Sequence, residues 1–172
     1  LVAMRNAVGE KNSQTLFLYA LPAVKSLIKT YEDLDRVGNT VGEFAEAAQE
    51  YANYLFQWGL PAVKDLFGER LPEYWPNIIA LVKDSKKDAG YVLNQYLPKV
   101  AQLIKSPDDL KRVGTILVRL INAAGGDSKE ALVPGFMLVK DLIKTDEDLM
   151  QYGTAMIDLK KMAEDNSVSI HL

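Results

Sequence analysis

The chain is expected to be all-α, with about seven to eight helices stacked as paired hairpins, and three observations predict this. The phrase LPAVKSLIK recurs in variants whose valine falls at Val24, Val63, Val100 and Val139, so the spacings are 39, 37 and 39 residues. Helix-start signals then stand in one register: Thr30 with Asp33, Ser106 with Asp109, and Thr145 with Asp148, each a hydroxyl followed three residues later by an acid. Apolar residues between these signals recur at three and four, the period of one helical face.

Taken in order, helix is expected over 14–29, 32–57, 60–67, 74–83, 86–105, 107–124, 128–144 and 146–165. The chain reads as one domain over 1–172, with units near 13–48, 49–84, 85–126 and 127–165. Residues 1–12 and 166–172 are expected to be weakly packed ends. Each unit pairs two helices. The first helix of the third unit has cap spacing at Ser85 and Asp88, that of the fourth at Asp127 and Glu130. Its stripe is Leu97, Val100 and Ile104 in the third unit, and Leu132, Phe136, Val139 and Ile143 in the fourth.

Pro22, Pro61 and Pro98 lie two residues before the aligned valine, and Pro134 five before it. An interior proline costs near 3 kcal/mol, so each first helix is expected to kink or restart there. Between Gly42 and Gly59 no turn residue appears, which predicts one long helix or a very tight corner. Gly68, Pro72 and Pro76 break the second unit, leaving a shorter helix around 77–83. The second helices carry Gly38, Gly114 and Gly153 in one register, where glycine costs about 1 kcal/mol against alanine. A close crossing with the paired helix is the expected reason.

These letters offer little chemistry. With no cysteine, disulfides and thiolate sites are absent, and the single histidine, His171, is second from the end. The acids cluster at helix starts, at Glu32, Asp33 and Asp35, at Asp108 and Asp109, and at Asp146, Glu147 and Asp148, where the helix dipole favours them. Neither the calcium-loop spacing nor a glycine-rich phosphate loop is present. The expectation is therefore a non-enzyme with no cofactor and no metal. Twenty basic against twenty-three acidic residues give −3, which provides no field for nucleic acid, and no apolar run reaches the length of a membrane span.

Aromatic residues gather at Tyr51, Tyr54, Phe56, Trp58, Phe67, Tyr74 and Trp75. Tyr74 and Trp75 are adjacent, so on a helix they point about 100° apart and one is expected to be an exposed anchor. Candidate partner-binding residues are Trp58, Tyr74, Trp75, Arg36, Lys111 and Arg112. Uncapped apolar ends make a homodimer a further expectation.

LPKVAQLIKSPDDLKRVGTILVRLI resembles a HEAT repeat through Leu97, Pro98, Pro107, Asp108, Arg112 and Val113, with arginine and valine in reversed order. The first unit matches through Leu21, Pro22, Asp33, Arg36 and Val37; the fourth has Gln151 and Tyr152 in place of arginine and valine, and the second lacks the turn and the arginine. The resemblance implies a right-handed αα-superhelix whose second helices line an inner face that holds a protein or peptide. Armadillo-like stacks share these features. The alternative expectation is a cavity between kinked helices for a lipid or other apolar ligand.

Overall fold

The computed structural model describes residues 14–125 and 128–168, with the backbone alone for 128–132 and 164–168. No strand occurs among the described residues, and the chain is all-α. Among the described residues its α-helices of eight residues or more are α1 (Tyr31–Ala48), α2 (Leu60–Phe67), α3 (Leu71–Ser85), α4 (Pro107–Ala124), α5 (Ser128–Val139) and α6 (Asp146–Val168). Five of them run for twelve residues or more, fewer than the expected seven to eight. The difference lies in the first helices of the first three units, which are assembled from short α, 3₁₀ and π turns, whereas α5 runs through Pro134 without the restart expected there.

Proline explains that assembly. Leu16–Ala20, Leu55–Gly59 and Val92–Tyr96 are π turns, and each ends one residue before a Leu-Pro pair. The amides of Leu21, Leu60 and Leu97 donate to the carbonyls of Leu16, Leu55 and Val92, five residues back. The wider turn moves the backbone aside where the ring would strike the carbonyl four residues earlier. Pro22, Pro61 and Pro98 then open new helical segments, where the missing amide has no bond to lose.

The three capped starts form as the sequence predicts. The amides of Asp33, Asp109 and Asp148 donate to the hydroxyls of Thr30, Ser106 and Thr145 at 3.1, 3.2 and 3.1 Å. Each carboxylate in turn accepts two amides, from Lys29 and Thr30, Lys105 and Ser106, and Lys144 and Thr145. All three aspartates are held below the ordinary carboxyl value of 3.8, chiefly by the Lys29 amide for Asp33, the Ser106 hydroxyl for Asp109 and the Lys144 amide for Asp148. A carboxyl whose pKa is lower folded than unfolded stabilises the fold above the unfolded value, and that contribution is lost as pH falls through the folded value. Thermal melts from pH 6 downward are expected to show Tm falling below about pH 4, with a shallower fall in the Asp33→Asn/Asp109→Asn/Asp148→Asn triple variant. Ser106→Ala should remove about 1 kcal/mol at neutral pH, measured by urea unfolding.

The cap expected at Ser85 and Asp88 does not form. Ser85 is the last residue of α3, its hydroxyl buried without a partner, and the Ala89–Tyr91 segment has no side-chain cap. Asp127 lies outside the described residues, as do 1–12 and His171. The uninterrupted stretch after Gly42 resolves as a tight corner: α1 stops at Gln49, whose φ of 52° lies in the left-handed half of the map. Lys86, Gly68 and Gly125 turn the chain in the same way, at φ of 50°, 56° and 78°. Glycine suits such angles; glutamine and lysine are strained there. Gln49→Gly and Lys86→Gly are each expected to stabilise the protein by about 1 kcal/mol in chemical denaturation.

The helices form two layers. The second helices pack in chain order, α1 on α3, α3 on α4, and α4 on α6. In the other layer the π turn at Leu16–Ala20 lies against that at Leu55–Gly59, which lies against Val92–Tyr96, which touches α5. Val24, Val63 and Val100 are fully buried between the layers, and Val139 is half-buried against the same core. Asn77 Nδ2 donates to the Pro107 carbonyl at 2.7 Å, tying α3 to the start of α4. Gln102 Nε2 donates to the Lys140 and Ile143 carbonyls beyond α5.

One contact recurs along the second helices. A Cβ on Gly114 would press Leu81 of α3, and one on Gly153 would overlap Leu120 of α4. Leu81 and Leu120 stand six residues after Trp75 and Gly114, the register in which Phe44 follows Gly38. Phe44 meets the Trp75 ring edge-on, centroids 5.4 Å apart. Each second helix therefore inserts one large side chain into the next helix at the register of the glycine. The close crossing is with the preceding second helix, not with the paired first helix as the sequence suggested.

Candidate functional site

Neither Tyr74 nor Trp75 is an exposed anchor. They do point apart, but α3 lies between α2 and α1, so both directions lead inward. Tyr74 stacks on Phe67 at 4.1 Å, Trp75 meets Phe44, and the two are 1% and 6% exposed. Arg36 and Arg112 are on the surface at the starts of α1 and α4, but each is held within the chain. Arg36 pairs with Asp33 at 2.6 Å, and Arg112 bridges Asp109 at 2.9 Å and Asp146 of α6. Lys111 is exposed beside Arg112.

Trp58 differs, being 47% exposed on the middle π turn. Its neighbours in the adjoining turns occupy the same register: Tyr19, Trp58 and Gln95 each stand three residues before the proline of their unit. Because those turns pack side by side, the register becomes a strip across the first-helix layer. Leu18 and Tyr54 are also exposed along it, and Gln57, Tyr91, Asn94 and Gln95 are half-buried. The structure thus brings Trp58 together with Leu18, Tyr19 and Tyr54, none of which the sequence reading proposed as a site residue. It does not gather Trp58 with Arg36, Lys111 or Arg112, which lie in the other layer. The signal that could have found the strip was the register itself, counted back from each proline.

Chemically the strip offers aromatic faces interleaved with amide groups. Such a surface can cover apolar side chains and donate to or accept from a peptide backbone. Beside it a shallow, mostly apolar hollow of about 350 Å³ is lined by Ala62, Asp65, Leu66, Asn94 and Pro98, and a charged cleft lies elsewhere. This cleft, of about 720 Å³, opens where the ends of α1 and α3 come together, lined by Glu46, Gln49, Lys83, Asp84 and Lys86. It is open and charged, unlike an enclosed apolar chamber. Among the described residues no three of His, Cys, Asp and Glu are grouped to hold a metal ion, and no helix is long and apolar enough to cross a membrane. Comparison with protein-family models, with curated proteins and with solved structures finds no match to this chain.

Proposed function

We propose that the chain is a non-catalytic module that binds another protein or a peptide, built as a right-handed superhelical stack of helical hairpins similar to HEAT repeats. The observation that carries the binding reading is the exposure of Trp58 together with Tyr19, Leu18 and Tyr54 on adjoining π turns. Large aromatic rings on a rigid first-helix layer supply contact area at little entropic cost, and π turns inside helices recur at functional positions. Second helices packed in chain order, three like caps and three like π turns support the stacked architecture. The partner-facing surface is then the first-helix layer near Trp58, in place of the second-helix arginines. The apolar-ligand alternative has a mostly apolar hollow to draw on, lined by Ala62, Asp65, Leu66, Asn94 and Pro98, and that hollow is open to solvent.

Selection of binders from a displayed library of extended peptides tests this. Trp58→Ala should weaken the selected peptides roughly tenfold or more, and Tyr19→Ala should weaken them too, both with little change in Tm because the rings are exposed. Peptides that bind equally well to both variants would remove the reading's support.

A further inference from the structure

The first helices lie side by side, and the repeat lets their junctions be compared position by position. Counted from the aligned valines, Lys99 stands where the first and second units have Ala23 and Ala62, and Lys140 stands where the third has Ala101. The junction between the second and third units is accordingly the mostly apolar hollow at Ala62, Leu66 and Pro98, with Asp65 as the charge among its lining residues. At the next junction, between the third and fourth units, the character changes. A groove of about 410 Å³ is lined there by Lys99, Lys140 and Lys144, with Asp141 as the acid among them and Pro98 and Met137 as its apolar part.

Charge and continuity select the occupant. None of the three lysines is in an ion pair with a described residue, whereas Lys64, which aligns with Lys140, is held by Glu69 at 3.3 Å. Lys144 acts only at a distance, on Asp148. Gln102 Nε2 donates across the groove to the Lys140 and Ile143 carbonyls, each at 3.2 Å, so its two walls are tied together before anything binds. Beyond Lys144 the surface turns acidic at Asp146 and Glu147, which bounds the positive stretch. The groove also adjoins the aromatic strip. Gln95 of the strip stands four residues before Lys99, about one helical turn, and Asn94 and Pro98 line the hollow alongside. We propose that the groove takes an acidic peptide segment, a short run of Asp or Glu side chains that continues a peptide laid on the strip; this rests on the peptide-binding reading above. Nucleic acid fits less well, because phosphates suit the fork of arginine and a longer basic track, and three lysines beside acids supply neither.

Amidated hexaglutamate, which carries its charge on side chains alone, is the probe. Titrated into the isotope-labelled full chain at low ionic strength, it should shift the backbone amide signals of Lys99, Gln102 and Lys140 to saturation, and hexalysine should not. Lys99→Gln/Lys140→Gln should weaken this binding roughly tenfold or more, with an unchanged helical circular dichroism spectrum. Added to a peptide selected on the strip, triglutamate should tighten binding to the wild type roughly tenfold over triglutamine and do nothing for the double variant. Trp58→Ala should weaken the selected peptide and leave hexaglutamate binding as it was, so failure of the strip and failure of the groove are told apart. Absence of a saturable shift at those amides, hexaglutamate binding that survives the lysine changes, or tighter binding of an oligothymidylate of the same length would overturn the proposal.

Discussion

Phe44→Ala is expected to destabilise the protein by about 3–5 kcal/mol, read from the urea midpoint at unchanged slope. The ring is fully buried and meets Trp75 edge-on, so its loss removes both apolar burial and the contact between α1 and α3. The cavity would be hard to close, because Trp75 is carried by α3 and buried in the core, 6% exposed. A double-mutant cycle with Trp75→Leu should show a coupling of about 1 kcal/mol between the two rings. Additive losses would mean that α1 and α3 are held together elsewhere.

Gly153→Val should destabilise by about 2–4 kcal/mol, although helix propensity alone would make valine better than glycine at this position. The reason is Leu120, whose methyl groups occupy the space a side chain at 153 would need. Leu120→Ala should itself destabilise, since the residue is 2% exposed, yet the two changes together should destabilise by less than their sum. Removing the leucine makes room for the valine. A stabilising Gly153→Val would show that the glycine marks only a lapse in helix regularity.

The legible parts of the fold were those in which one residue type does one local job. Thr30, Ser106 and Thr145 could be read as caps because a hydroxyl and an acid three residues later satisfy free amides whatever packs around them. The limits of α2 and α4, at 60–67 and 107–124, fell where glycine, proline and serine punctuate the chain. The corners at Gln49 and Lys86 were illegible for the opposite reason. Neither residue favours positive φ, so each angle is imposed by the packing of the helices on either side. Ser85 was misread because cap spacing occurs by chance, and its hydroxyl ended at the closing turn of α3. Pro76 was read as a break but sits inside α3 on its exposed side, where the carbonyl left without a partner can face water.

The candidate site was legible only in part. Trp58 was named for its size, which does not distinguish a surface ring from a core ring; Tyr74 and Trp75 share that property and are buried. What separates them is tertiary: Trp58 rides a surface π turn, and α3 is enclosed on both sides. Arg36 and Arg112 were named as partner-binding residues, but each stands three residues beyond a capping aspartate, within reach of it.

The central claim is that each second helix locks into the next through one large side chain at the glycine register. Nuclear Overhauser contacts from the Leu120 methyls to the Gly153 α-protons, and from the Leu81 methyls to those of Gly114, measure it most directly. The account predicts strong contacts in both pairs. Their absence, with the same methyls instead close to protons of their own paired first helices, would contradict it.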